Sequence, residues 1–381
     1  QQEIVENITD EEIKHIINEM FIDDTVDFIE EMPANIVDKI LQNTSPDTRK
    51  LINQFLKYPE NSAGSVMTVE YVSLKSDMNI GQALNHIKKV GIDNETIDIC
   101  YVIDNQRKLV GFISLKSLIF LDDIIPLVDA METNVISATT TDDQEVIASL
   151  FRKYDLTSMP VVDNEGRLVG IITIDDVVDV IDQENTEDFQ KMAAMDPSDE
   201  EYLKESVFSL AKHRIVWLLV LMISATATGT IIRRYEEVLQ SVVILAAFIP
   251  MLMDTGGNAG SQSSTLIIRG IALGEIQLSD IGKILWKEFR VSLIVGITLA
   301  TVNFLRIYFI DKAGLTISLV VCASLLFTVI IAKVVGGILP ILAKAFKLDP
   351  AIMASPLITT IVDACALIVY FALSTHFLNL A

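Results

Sequence analysis

Val102-Ile103-Asp104-Asn105-Gln106-Arg107-Lys108-Leu109-Val110-Gly111-Phe112-Ile113-Ser114-Leu115 recurs 59 residues later. The second copy is Val161-Val162-Asp163-Asn164-Glu165-Gly166-Arg167-Leu168-Val169-Gly170-Ile171-Ile172-Thr173-Ile174, and seven of the 14 positions are identical. Each copy reads as a short apolar strand, a polar Asp-Asn turn, a second strand and the start of a helix. A helical segment precedes each copy, Gly81 to Val90 and Gln144 to Tyr154, and Met67-Thr68 and Met131-Glu132 mark the two unit starts. Residues 65–185 are therefore expected to form two tandem α/β units.

Working outward, residues 1–60 read as a short all-α region. Phe21, Ile22, Val26, Ile29, Ile36, Val37, Ile40 and Leu41 recur at helical spacing, with Asp23, Asp24, Asp27, Glu30, Glu31 and Asp38 assigned to the opposite, solvated face. Beyond the repeat, residues 186–212 read as one acidic connecting helix. Residues 213–381 then hold five apolar stretches: Ile215 to Ile232, Val238 to Ile268, Val291 to about Ile310, Ala313 past Lys333, and Ala351 to Thr375. A bilayer core of about 30 Å needs roughly 20 helical residues, so each can span. The fold class is multi-domain: all-α front, α/β pair, connecting helix, and an all-α membrane domain of five helices.

The charge is divided in the same way. Residues 1–213 carry 17 Lys and Arg against 42 Asp and Glu, net −25, whereas residues 214–381 carry 12 against 9, net +3. Such an acidic surface excludes nucleic acid as a partner. The 51% hydrophobic content excludes a disordered chain. Cys100, Cys322 and Cys365 form no disulfide framework, and His15, His86, His213 and His376 are isolated. With no P-loop or nucleophile–base constellation, an enzyme is not expected. The acidic N-terminus does not read as a signal peptide, and Gln1 in place of Met fits residues missing upstream. Lys212 and Arg214, then Arg269, Lys283, Lys287 and Arg290, then Lys344 and Lys347 fall on one side if all five helices cross. That side is the cytosol. The acidic half then hangs in the cytosol of a multi-pass cell-membrane protein, and the C-terminus lies outside.

Two spans carry polar residues that a lipid-facing helix would not. Asp363 sits mid-span in the fifth, with Thr359 and Ser355 at i−4 and i−8 and Tyr370 at i+7; Lys333 is the nearest basic candidate on another span. A central aspartate costs about 2.5–3.5 kcal/mol on insertion scales, so it needs a paired or wet environment. The second span contains Pro250 and then Asp254-Thr255-Gly256-Gly257-Asn258-Ala259-Gly260-Ser261-Gln262. Gly-Gly is expected to break the helix there and bare carbonyls suited to a hydrated hard cation; a Gly-rich packing face is the other reading. Asp363, Thr359, Ser355, Asp254, Gly257 and Asn258 are the candidate metal-binding residues of the membrane half.

The two tandem units resemble a pair of cystathionine-β-synthase (CBS) domains. That resemblance implies regulation, often with a nucleotide in the cleft. The family's ribose pattern Gly-x-x-Thr-x-x-Asp is matched by Gly170, Thr173 and Asp176, but the first copy ends on Ser117 after Gly111 and Ser114. Thr173 and Asp176 are thus the cofactor-binding candidates, for ATP in one cleft; capping of the next helix is the alternative role for Asp176.

The whole order, together with Pro250 through Gln262, Thr265-Leu266-Ile267-Ile268-Arg269 and Pro356-Leu357-Ile358-Thr359-Thr360-Ile361-Val362-Asp363, resembles the MgtE family of magnesium channels or transporters. Its helical N-domain here is shorter than the family's usual one. The resemblance implies a homodimer in the lipid bilayer with a pore near the twofold axis. There Asp363 would confront its own copy and hold hydrated Mg²⁺ or another divalent cation through its water shell. It also implies feedback, in which cytosolic Mg²⁺ neutralises acidic surfaces. Asp176, Asp179, Asp182, Glu184, Glu187 and Asp188 are the candidate sensors. A proton- or sodium-coupled divalent carrier and a membrane-anchored nucleotide sensor are the alternatives.

Overall fold

The computed structural model describes residues 10–30, 32, 34–198 and 202–379. It divides into two compact units, Gln1–Asp182 and Gln183–Ala381.

The first unit begins with four helices, α1 (Asp10–Glu19), α2 (Ile22–Glu30), α3 (Ala34–Asn43) and α4 (Pro46–Phe55). Ile22, Val26, Ile29, Ile36 and Ile40 bury their side chains with Ile52 and Phe55, as the 3.6-residue period requires. Ser45 starts α4 by accepting from Thr48 N, and Pro46 occupies the first turn, where its missing N–H costs nothing. One acidic residue departs from expectation. Asp23 is buried, not on a solvated face.

The repeat forms two three-stranded sheets of identical topology. β1 (Tyr71–Lys75), β2 (Thr96–Ile103) and β3 (Leu109–Ser114) make the first, with α5 (Ile80–Val90) between β1 and β2 and α6 (Leu115–Phe120) after β3. β4 (Ala138–Thr139), β5 (Ser158–Val162) and β6 (Leu168–Thr173) make the second, with α7 (Gln144–Tyr154) between β4 and β5. In each sheet the first pair is parallel and the second antiparallel, with Val102 opposite Gly111 and Val161 opposite Gly170. The repeated aspartate builds each turn. Asp104 Oδ1 accepts from Gln106 N and Lys108 N, and Asp163 Oδ1 from Glu165 N and Arg167 N. The two hairpins join through Leu109 N to Gly166 O and Leu168 N to Arg107 O, at 3.1 and 3.0 Å.

The unit starts cross over. Thr68 exchanges both backbone bonds with Ile171 of the second sheet, and Glu132 exchanges both with Phe112 of the first. The repeated glycines permit this: a Cβ at Gly170 would lie 2.7 Å from Thr68 O, and one at Gly111 2.7 Å from Glu132 O.

Helix α8 (Ile174–Met192) follows β6 and runs across the boundary between the units. The single connecting helix expected over 186–212 is not formed. α8 ends at Met192, Ala194 has φ 54°, and among the described residues the next helix is α9 (Val207–Arg234), capped by Ser206. Pro197 explains the break, since it disfavours helix at Asp196 and lacks a donor.

Among the described residues, five helices are long and apolar enough to cross a membrane. They are α9, α10 (Ile249–Ala272, entered through a 3₁₀ turn at Val243–Phe248), α11 (Ile281–Leu305), α12 (Leu315–Ala345) and α13 (Ser355–Leu378). The expected break at Gly256-Gly257 is absent, and α10 is continuous through it. The glycines serve contact instead. A Cβ at Gly256 would strike Thr328 and Val362, one at Gly260 would strike Ile358, and one at Gly336 would overlap Gly260 O. Small residues let α10, α12 and α13 approach this closely, and dispersion over the shared surface holds them together. Tyr370 lies in this core, donating to Leu245 O at 2.9 Å, and is not part of a polar path.

Candidate cation path and acidic surfaces

On α10, Asp254, Asn258, Gln262, Thr265 and Arg269 are all exposed. Their spacing of four, four, three and four places them on one helical face. A membrane-spanning helix cannot present such a row to hydrocarbon, because each unsatisfied polar group there costs several kcal/mol. The row therefore faces water or another protein surface. α13 lies alongside. Thr359 touches Gly257, where an added Cβ would be 2.9 Å from Thr359 Cγ2. One turn further on, Asp363 is half-buried, and its Oδ1 is buried with no hydrogen-bond partner. The Asp254 carboxylate acts electrostatically on Asp363. Asp363, Asp254, Gly257, Asn258 and Thr359 are thus brought to one seam, while the Ser355 side chain lies outside the described residues. Lys333 is not the partner of Asp363; it donates to Ser263.

A continuous α10 offers no bared carbonyl at Gly257, so any ligand here comes from side chains and water. That chemistry suits an ion that keeps its hydration shell. Among the described residues, no group of three His, Cys, Asp or Glu side chains is placed to hold a bare metal ion.

In the first unit, Asp176 follows Thr173 at the start of α8. Thr173 N donates to Asp176 Oδ2 at 3.4 Å, so the capping role is present, and Thr173 Oγ1 donates to the same oxygen at 2.6 Å. Asp176 also faces Asp23 and Glu95, which sequence periodicity did not single out. Burial and then the charge of Asp176 push Asp23 up to about 8. Burial and then Asp175 and Asp176 push Glu95 up to about 7. Burial raises Asp176 too, against the Thr173 bond. Asp23 Oδ1 and Glu95 Oε2 are buried without partners. These carboxylates crowd one another, so each makes ionisation of the others harder.

Two cavities of the first unit are lined by residues other than Thr173 and Asp176. A cavity of about 180 Å³ is lined by Ile99, Tyr101, Phe112, Asn134, Ile136, Thr157, Ser158 and Pro160, with Tyr101 Oη and Ser158 Oγ 2.8 Å apart. A larger one of about 450 Å³ is lined by Tyr71, Arg107, Asp163 and Arg167.

In the second unit, the end of α8 meets the ends of α10 and α13. Lys191 Nζ bonds Asp349 Oδ2 at 2.6 Å and pairs with Glu187. Burial opposes the Lys191 charge, but these two carboxylates raise it to about 12. Arg269 reaches Asn185, and Met192 packs on Ile268, Ala351 and Ala354. Burial and then Asp349 raise Asp188. Asp179 and Asp182, in the first unit, are exposed, and Glu184, in the second, is half-buried.

Five helices able to span a membrane, with a polar seam between two of them and a tandem CBS pair in the first unit, define a membrane protein of the transport class. Family models agree. Residues 249–373 match a divalent cation transporter, 1–61 the MgtE intracellular N domain, and 63–123 and 127–183 CBS domains. The magnesium transporter MgtE of Thermus thermophilus is 38% identical over 86% of this chain and 73% of its own length. That of Bacillus subtilis is 34% identical over 95% and 80%. The crystal structure of the soluble part of a magnesium transporter superposes with TM-score 0.47 and 34% identity over 48% of this chain and 72% of that one. The chain belongs to the MgtE family of magnesium transporters.

Proposed function

We propose that this protein conducts hydrated Mg²⁺ into the cytosol, down its electrochemical gradient, along the seam of α10 and α13. The carrying observation is the exposed row Asp254, Asn258, Gln262, Thr265 and Arg269 beside an Asp363 oxygen without a partner. A second copy placing its own row opposite would remove both from lipid and enclose a wet path, so the working form is a homodimer. Paired carboxylates favour a divalent over a monovalent ion by Coulomb energy. An inside-negative potential contributes about 4.6 kcal/mol per 100 mV for a doubly charged ion. The Lys and Arg distribution puts the N-terminal half in the cytosol and the C-terminus outside.

Regulation uses the crowded carboxylates. Cytosolic Mg²⁺ at Asp23, Glu95 and Asp176, and near Asp188 and Asp349, relieves their repulsion and favours a closed state. Asp179, Asp182, Glu184 and Glu187 extend that acidic surface. An adenine nucleotide would sit in the cavity beside Tyr101 and Phe112. The test is Mg²⁺ flux in liposomes. Asp363→Asn should lower it at least about tenfold, the equivalent of 1.4 kcal/mol, with folding unchanged; undiminished flux defeats the reading.

A further inference from the structure

A second polar group lies inside the membrane unit, away from the Asp363 seam. Ser263 of α10, Glu288 of α11 and Lys333 of α12 are only 1%, 9% and 5% exposed. Ser263 Oγ donates to Glu288 Oε2 at 2.6 Å, and Lys333 Nζ donates to Ser263 Oγ at 3.3 Å. The hydroxyl is also 3.4 Å from Ala259 O of its own helix. An ammonium, a hydroxyl and a carboxylate from three different helices thus form one neutral chain.

Buried charges at such a place are costly and need a reason. The permeation path does not use them. Ser263 is five residues beyond Asn258, about 140° round the helix from it. Elsewhere α10 packs through Gly256 and Gly260 against α12 and α13 and through Ile267 and Ile271 against Ile284 and Ile341, and Ser264 Oγ donates to Met353 O at 2.9 Å. The apolar contacts are not directional and by themselves set neither rotation nor depth, and Ser264 bonds a backbone carbonyl that precedes α13. A charge-assisted bond is directional and has one best register.

We propose that Glu288 and Lys333, acting through Ser263, are positioning residues that fix the rotation and depth of α10, and so hold Asp254 and Asn258 toward the Asp363 seam. This rests on the permeation reading above.

The test measures Mg²⁺ and Na⁺ flux per folded protein for the full chain in liposomes. Variants are Glu288→Gln, Lys333→Met, Ser263→Ala, and the exchange Glu288→Lys with Lys333→Glu. Each of the first three should lower the Mg²⁺-to-Na⁺ flux ratio about tenfold, and the exchange should bring it back to within about threefold of wild type. A role confined to stability would change yield or melting and leave the ratio alone, and a wild-type ratio in the single variants overturns the proposal. Should the charge variants fail to fold, Ser263→Ala decides by itself, because it removes one oxygen and no charge; an unchanged ratio there also overturns it. Asp363→Asn runs alongside. Lost flux in that variant with wild-type ratios in the others sinks only the positioning role. Undiminished flux in Asp363→Asn removes the reading beneath it.

Discussion

Closure by cytosolic Mg²⁺ should depend steeply on pH, and the dependence can be worked from Asp23 and Glu95. Their carboxyls titrate at about 8 and about 7. At pH 6 both are protonated, so a divalent ion entering between them displaces two protons. At pH 8 Glu95 is ionised and Asp23 is half ionised. Each displaced proton contributes tenfold per pH unit, so apparent affinity rises by roughly two to three orders of magnitude between pH 6 and pH 8. The folding linkage has the opposite sign in the absence of metal. Both groups are raised above their unfolded values, so the stability they contribute is fully present below about pH 4. It is lost as pH rises through 7 and 8. Bound Mg²⁺ offsets that loss. The assay is Mg²⁺ flux in liposomes, with internal Mg²⁺ titrated at internal pH 6, 7 and 8. Asp23→Asn removes the higher-titrating group and should reduce the pH effect to about tenfold, the share of Glu95 alone. A half-inhibiting Mg²⁺ concentration that stays constant from pH 6 to 8 would refute this use of the cluster.

Lys191→Met frees Asp349 and Glu187 and takes away a partly buried ion pair of about 1 kcal/mol. Closure by Mg²⁺ should then need a several-fold different concentration, read from the same flux titration. Gly336→Ala drives a methyl group into Gly260 O, and such overpacking costs about 1–3 kcal/mol or more. It should lower the melting temperature in detergent, whereas Gly229→Ala, which meets nothing within 4 Å, should not. Gly170→Ala blocks the Thr68–Ile171 pairing, and protection of those two amides from hydrogen exchange should fall first.

Features set by short-range sequence were readable in advance. The five spans follow from length and apolarity alone, and the two sheets from a repeat that carries its own turn aspartate. Features that depend on what comes alongside were not. Periodicity assigns Asp23 to solvent because it sorts residues by polarity and cannot show that Asp176 and Glu95 lie opposite. The Gly256-Gly257 break was expected from propensity in water, but inside a bundle Thr328, Val362 and Thr359 fill the space a side chain would occupy, and the helix continues. Glu288 stands beside Lys287 near the start of α11 and reads as an interfacial charge; only the arrival of Ser263 and Lys333 gives it partners. Pro197 was the overlooked signal, since it stops the connecting helix by local sterics.

The placement of α8 gives that stop a purpose. Its first turn carries Asp175 and Asp176, which belong with Asp23 and Glu95. Its last turns carry Glu187, Asp188 and Lys191, which meet Asp349 beside the end of α10. At 1.5 Å per residue, 19 residues form a continuous rod about 28 Å long with an acidic cluster at either end. Were helix to continue unbroken into α9, any displacement of the rod would have to drag a whole membrane span. Residues 193–198 after Met192 are not helical, and Trp217 Nε1 of α9 donates to Asp196 Oδ1 there at 2.9 Å. Under the proposed regulation, α8 is the element whose integrity closure requires, and the segment after Met192 is not. Inserting Ala-Ala after Met192 should lengthen that loop with little effect on Mg²⁺ closure, whereas Pro at Val180, mid-rod, should uncouple closure from internal Mg²⁺ while Asp363-dependent flux persists. Equal loss of closure in both variants would remove the rod as the link.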